Sequence, residues 1–204
     1  MKLSENKNEA GFSLIELIIA MTITLVLLGL ASGLLSGALS TRHRESRKTD
    51  ALTSSQAALN LLSREIGNSG YGLTTNGIIT ADSNSQMLHF RSNVENGDAT
   101  TNSPGEDLTY YFDANTQSIV RYDPNDNPQT AVIVNRISDV TFQYFDYNGT
   151  STPTQQATPT NNTGRVRINI AVQLEPVEGQ PDNQIVSFTS DITLRNSKYM
   201  LKQY

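Results

Sequence analysis

The chain begins with a polar stretch and then a long apolar run. Residues 12–39 contain one charged residue, Glu16, among leucines, isoleucines, alanines and other small residues. A helix that crosses a bilayer needs about 20 apolar residues, and this run supplies more than that. The pattern therefore predicts a membrane-spanning helix over residues 12–40.

After the apolar run the period stays helical, but the pattern becomes amphipathic. Apolar and small residues recur every three or four positions, which places them on one helix face. This stripe consists of Leu52, Ser55, Leu59, Leu62 and Ile66. Because glycines follow at positions 67, 70 and 72, we expect one helix from about residue 12 to about residue 66. Residues 41–67 are its amphipathic continuation.

Short runs of β-branched and aromatic residues between turn residues replace the helical pattern from residue 68 onward. They predict strands at residues 78–80, 87–91, 108–112, 118–122, 132–134, 140–147, 166–174 and 185–194. We therefore expect a β-rich globular domain over residues 68–204. The predicted fold class is α+β, in which the second half of the long helix packs on a mostly antiparallel β-sheet.

Composition argues against nucleic-acid binding and excludes cysteine chemistry. The chain has 20 acidic and 15 basic residues; six bases and five acids lie in residues 1–50, so the remaining part keeps nine bases and 15 acids. An acidic domain argues against nucleic acid as a partner. The chain has no cysteine, which excludes a disulfide and a thiolate metal site.

A motif stands where the polar leader meets the apolar run. It reads Gly11-Phe12-Ser13-Leu14-Ile15-Glu16. This arrangement resembles the signal of type IV pilins and of type II secretion pseudopilins. The resemblance implies that residues 1–11 are a leader, that prepilin peptidase cuts between Gly11 and Phe12, and that the new amine of Phe12 is N-methylated.

The same resemblance implies where the protein works and with what. We expect a single-pass protein of the inner membrane whose C-terminal domain lies in the periplasm and which enters a pilus or pseudopilus filament. Its partners would be prepilin peptidase, other major and minor pilins or pseudopilins, and the inner membrane. The basic residues favour the opposite orientation, because four bases follow the apolar run and only two precede it.

Glu16 is the charged member of the motif. An ionised side chain at the centre of a membrane helix costs roughly 2.5–3.5 kcal/mol, so such a residue usually has a partner. The resemblance implies that Glu16 neutralises the N-terminal amine of a neighbouring subunit. The alternative is a polar residue that is tolerated near the membrane interface.

Gly29, Gly33 and Gly37 recur every four residues within the apolar run. Small residues at this spacing let helices approach closely in lipid, so we expect them to serve helix packing between subunits. The alternative is ordinary apolar filler.

An ordinary signal peptide, cut near residues 38–40, is a further alternative for the N-terminal segment, but its apolar region would be only about 7–15 residues long.

Residues 50–72 indicate a particular type of subunit within these families. The helix pattern there ends in Arg64-Glu65 and is followed by Gly70-Tyr71-Gly72. This segment resembles PilW-type minor pilins, which implies a filament subunit that helps prime or assemble a type IV pilus. Two alternatives stay open: a J-type minor pseudopilin of a type II secretion system, and a pilus-associated adhesin.

The sequence offers no catalytic constellation. His43 and His89 stand alone, and no phosphate-binding loop or nucleophile elbow occurs. The oxygen-rich residues 123–127 indicate a turn, and the low-complexity residues 148–164 indicate a surface loop, with a contact surface or a glycan attachment loop as the alternative. We therefore expect no enzyme, no cofactor and no metal site.

Overall fold

The computed structural model describes residues 12–95, 100–149, 151–174, 176, 181 and 184–202. The chain divides into two compact units, Met1–Glu45 and Ser46–Tyr204. One helix, α1, runs from Leu14 to Gly67 and contributes to both units. The predicted helix is confirmed over nearly its whole length, with its start two residues later than expected.

In the first unit, the apolar part of α1 is exposed to its surroundings. Large side chains from Leu14 to Leu35 are each more than half exposed. This is the one helix in the described part of the chain that is long and apolar enough to cross a membrane. Its exposed apolar surface is the surface that a bilayer would cover.

In the second unit, α1 buries one face against the strands. The buried side chains are Ser55, Ala58, Leu59, Leu62 and Ile66. Leu52 belongs to the predicted stripe but is 42% exposed, whereas Ala51 packs on the core. At the start of this amphipathic part of α1, the face that contacts the core therefore includes Ala51 instead of Leu52, which lies at the margin of the predicted stripe.

Among the described residues, eight strands follow the helix and form two four-stranded sheets. The first sheet contains β1 (Met87–Arg91), β2 (Asp107–Asp113), β3 (Ser118–Tyr122) and β4 (Thr130–Asn135), in that order. The second has the order β6-β5-β7-β8, from β5 (Ile137–Asp146), β6 (Thr154–Gln156), β7 (Thr163–Gln173) and β8 (Ile185–Thr193). Every pairing between these strands is antiparallel. The α+β fold class is thus confirmed.

The helix and both sheets share one hydrophobic core. Alternation along the strands sends every second side chain inward, as in β7, where Val166, Ile168 and Ile170 are fully buried. Aromatic side chains follow the same rule in part, because Tyr110, Phe142 and Tyr144 point into the core. Tyr111 and Phe112 are half-buried, whereas Phe145, next to Tyr144, is buried as well.

Two details of the strand prediction are wrong. Residues 78–80 form only an isolated bridge, between Ile78 and Phe90, instead of a strand. Strand β6 lies inside the segment that was predicted as an irregular loop over residues 148–164. Its three residues pair with Tyr144, Phe145 and Asp146 of β5.

The turn after α1 depends on glycine. Gly70 and Gly77 both have positive φ, of 77° and 78°. A side chain at Gly70 would clash with the Thr75 carbonyl oxygen, and one at Gly77 would clash with the Arg91 carbonyl oxygen. The backbone approaches itself closely here: the Gly70 amide donates to the Arg91 carbonyl at 2.9 Å.

Candidate functional site

The first residues of α1 form a capping box. The Glu16 carboxylate accepts a hydrogen bond from the Ser13 amide at 2.9 Å, and the Ser13 hydroxyl oxygen accepts one from the Ile15 amide at 3.4 Å. These bonds satisfy backbone donors that have no partner within the helix. Ser13 is therefore the N-cap of the helix, and Glu16 stands at its third position.

The predicted processing site adjoins this cap. Gly11 lies outside the described residues. Phe12 precedes the N-cap, so it is outside the helix, and its side chain is 89% exposed. The cap thus separates Phe12, where the predicted cut falls, from the regular helix that begins at Leu14. The predicted roles of Gly11 and Phe12 stay predictions.

Within α1, the two threonines of the apolar run form hydrogen bonds to their own helix. The hydroxyl groups of Thr22 and Thr24 donate to the carbonyl oxygens of Ile18 and Ala20, at 2.8 and 2.7 Å. Such back-bonding to the preceding turn hides a hydroxyl from lipid without a second helix. Glu16 differs, because a carboxylate keeps its charge after it accepts one amide hydrogen bond.

The three glycines predicted for helix packing have free space around them. A Cβ atom added at Gly29, Gly33 or Gly37 would meet no heavy atom within 4 Å. No contact inside the described chain requires glycine at these positions. If these glycines have a contact role, the contact is with another molecule.

The second unit holds a polar cluster between the end of α1 and the first sheet. The Tyr110 hydroxyl donates to the Glu65 carboxylate, and Arg121 Nε donates to the same carboxylate oxygen at 3.2 Å. Arg121 also contacts Asp123, whose side chain is fully buried, at 3.3 Å. Burial is the main cause that raises the pKa of Tyr110, and the charge of Glu65 adds to it. The cluster joins the helix to strands β2 and β3.

His89 is part of a second polar cluster, which the sequence did not reveal. Its Nδ1 lies 2.9 Å from Asp82, its Nε2 lies 2.6 Å from Asp107, and Arg91 Nε donates to Asp107 at 3.0 Å. Within the described ranges, no three histidine or acidic side chains are placed to hold a metal ion. This cluster anchors β1 to β2 and to the segment before β1.

The oxygen-rich residues 123–127 form a turn whose oxygens bind backbone amides. The Asp123 carboxylate accepts hydrogen bonds from Gly105 at 2.7 Å and from Asn125 at 3.0 Å. Amide donors occupy positions that a cation would need. The turn interpretation therefore accounts for these residues.

Residues 148–164 contain two short patterns that could accept a glycan, Asn148-Gly149-Thr150 and Asn161-Asn162-Thr163. Thr163, which completes one pattern with Asn161, is fully buried, and its hydroxyl donates to Asp146 at 2.6 Å. A folded chain thus keeps this threonine away from a modifying enzyme. The other pattern, at Asn148, includes Thr150, which lies outside the described residues.

Comparison with known proteins gives one match. Residues 6–32 match the family model described as a prokaryotic N-terminal methylation motif. This motif is the signature of type IV pilins and pseudopilins, and the match supports a chain of that class. Together with the apolar helix, it supports membrane anchoring and assembly with other subunits. No curated protein and no solved structure matches the chain.

Proposed function

We propose that the chain is a minor pilin of a type IV pilus, a filament subunit that helps prime or assemble the pilus after cleavage by prepilin peptidase. The observation that carries the proposal is the methylation motif over residues 6–32, which leads directly into an exposed apolar helix with one carboxylate, Glu16. A pilin of this kind acts by packing and charge pairing, and it needs no catalytic group.

The proposed division of the chain follows from this role. Residues 1–11 are the leader, residues 12–40 the transmembrane helix, and residues 41–67 its amphipathic continuation. Residues 68–204 form the globular domain, on the periplasmic side of the inner membrane. The amphipathic continuation packs on this domain through its buried face from Ser55 to Ile66.

The proposed assembly step is the pairing of two opposite charges on neighbouring subunits. Cleavage between Gly11 and Phe12 leaves an amine on Phe12, which is then N-methylated. In the filament, the Glu16 carboxylate of one subunit pairs with the amine of its neighbour. Opposite charges attract far more strongly in a low-dielectric interior than in water, so the pair fixes the axial register of neighbouring helices. The glycine stripe lets those helices approach.

Mass spectrometry of the mature N-terminus tests the proposal. We expect the purified chain to begin with N-methyl-phenylalanine at residue 12. A chain that begins at Met1 or at Thr41 would contradict it. As a matched pair, Gly11→Val should block the cut, because glycine lets a backbone approach a catalytic cleft closely, whereas Ala10→Val should leave it intact.

A J-type minor pseudopilin of a type II secretion system is the second candidate. The layout of a long helix followed by a β domain, with the turn at Gly70-Tyr71-Gly72, supports it equally. Deletion of the chain separates the two candidates. Loss of surface pili with normal protein export supports the minor pilin, and loss of export with normal pili supports the pseudopilin.

A further inference from the structure

The two sheets have four edge strands, which differ in how they are covered. The outer edge of β1 is occupied by the preceding segment, because the Ile79 amide donates to His89 at 2.9 Å and the Arg91 amide donates to Gly77 at 2.8 Å. Strand β6 is only three residues long. Among the described residues, no backbone group hydrogen-bonds to the outer edge of β4 or of β8.

The two open edges differ in their side chains. Strand β8 carries Asp191, which binds Arg167 through two hydrogen bonds of 2.8 and 2.9 Å, and it places serine and threonine on its solvent side. Strand β4 has the sequence TAVIVN, without a charge, and its first three residues are exposed. Val132 in the middle of the strand is 61% exposed.

Such an edge is unusual in a folded protein. Natural sheets protect their edges with charged residues, proline, bulges or a covering segment, since an open edge is a template for another strand. The pairing of β3 with β4 passes from Ile119↔Val134 to Val120↔Val132, so Ile133 is an extra residue in β4 and forms a bulge. Strand β4 has this bulge as protection. Among the described edges longer than three residues, it is the one that has neither a charged side chain nor a covering segment.

We propose that β4 pairs edge to edge with β4 of a second copy of this chain, as antiparallel strands. A strand without charge meets no like charge when it pairs with itself, and β-branched residues opposite each other stabilise such a pair. Val132 and Ile133 form the centre of the strand, so self-pairing places branched side chains opposite branched side chains. The main-chain groups of both edges gain partners.

The contact depends on membrane anchoring for its strength. Six residues of strand span about 20 Å, and the area they bury is far below the roughly 1,200 Å² of a stable interface. Two chains that are held in one membrane by their apolar helices meet at a high effective concentration, which makes a weak contact effective. The proposal needs the anchor alone; it is independent of cleavage, methylation and filament type.

Single cysteines test the pairing in the full chain, in native membranes. The chain has no cysteine, so each introduced thiol is unique. Ala131→Cys, Val132→Cys and Ile133→Cys are made one at a time and oxidised, with Ile185→Cys and Ser187→Cys on β8 as matched controls. A disulfide needs Cα atoms about 4.4–6.8 Å apart, so we expect a disulfide-linked homodimer from at least one β4 position and none from β8.

A charge then tests whether strand pairing brings the thiols together. Val132→Lys is added to the β4 cysteine that cross-links best; if that cysteine is at position 132, Ala131→Lys is added instead. We expect the cross-linked fraction to fall about fivefold, because like charges meet across the pair and branched contacts are lost. Ser187→Lys on β8 should leave it unchanged. Thermal unfolding followed by circular dichroism shows that each lysine variant folds.

Four results would overturn the proposal: no homodimer from any β4 cysteine, equal cross-linking from β4 and β8, cross-links only to a different protein, or a lysine without effect. None of these results bears on the mature N-terminus. A chain that starts at N-methyl-phenylalanine and does not cross-link through β4 would keep the filament role and remove the strand pairing.

Discussion

At the residue scale, Glu16 combines two tasks that one carboxylate can fulfil together. It accepts the Ser13 amide, which fixes the start of α1, and it places an acidic side chain in the first turn of an apolar helix. The sequence motif indicated the charge. The cap follows from the Ser13-x-x-Glu16 spacing, a signal that is readable in the sequence.

Substitution of Glu16 separates the cap from the charge. Glutamine keeps an oxygen that accepts the Ser13 amide but has no charge, and alanine loses both. We expect Glu16→Gln and Glu16→Ala to be cut normally, and both to enter filaments more than about tenfold less, since loss of one partner of a buried ion pair costs roughly 3–5 kcal/mol. Immunoblots of sheared filaments measure this. Normal incorporation of Glu16→Gln would show that the cap matters and the charge does not.

Tyr110 and Tyr144 make the folded domain sensitive to alkali. Burial raises the pKa of both hydroxyls above the ordinary value of about 10. A raised pKa means that the folded state holds the neutral phenol, so their contribution is complete below pH 10 and is lost as the pH rises above it, when the unfolded chain ionises first. We expect thermal stability to fall above about pH 10. Tyr110→Phe should reduce this alkaline loss.

At the element scale, the glycines of α1 mark a face with no partner inside the chain. A Cβ atom at Gly33 meets no heavy atom within 4 Å, so we expect the β domain of Gly33→Leu to unfold at the same temperature as that of the unmodified chain. Incorporation into filaments should fall, because a leucine keeps neighbouring helices apart. Ala31→Leu adds a similar bulk on another face of the same helix and is the control. Equal effects of the two leucines would contradict a role for the glycine face.

The elements that hydrophobic periodicity identifies are those that bury a face. Helix α1 and strands β5 and β7 repeat apolar residues at the period of their own geometry, and the sequence predicted all three. Strands β5 and β7 each begin three residues earlier than predicted. Strand β6 has the sequence Thr-Gln-Gln and is held by main-chain pairing with β5, which leaves no side-chain pattern to detect. Residues 78–80 carry the pattern of a strand, but that stretch forms only a single bridge to β1.

Hydrophobic periodicity in the sequence does not predict contacts between polar side chains. Glu65, Tyr110 and Arg121 lie on three different elements. Tyr110 follows Glu65 by 45 residues in the chain, and Arg121 follows it by 56. Only the packing of α1 on the first sheet brings them together. The same holds for His89, which the sequence showed as an isolated histidine and the structure places between two carboxylates.

At the scale of the whole molecule, the hydrophobic core lies entirely in the second unit. Among the described residues, its buried members run from Ala58 to Leu194, Ala51 packs against them, and none precedes Ser46. A chain that begins at Ser46 therefore keeps every core contact. We expect it to be folded in water without detergent and to unfold cooperatively on heating, as measured by circular dichroism.

A shorter chain provides the matched comparison. A chain that begins at residue 61 loses Ser55, Ala58 and Leu59, which α1 buries against the sheets. We expect its free energy of unfolding to be lower by about 3–5 kcal/mol or more, since the loss of one buried leucine side chain alone costs roughly 2–5 kcal/mol. Equal stability of the two truncated chains would show that this part of α1 contributes little to the core.

The capping box has one more consequence, for the timing of maturation. Ser13 and Glu16 both lie on the product side of the proposed cut, so the bonds that start the helix do not involve the discarded residues. Under the proposed function, we expect precursor and product to share the same secondary structure from Leu14 onward. Removal of the leader would then change the chemistry of the chain terminus and leave the conformation alone, so that a trimmed subunit could join its neighbours without a refolding step.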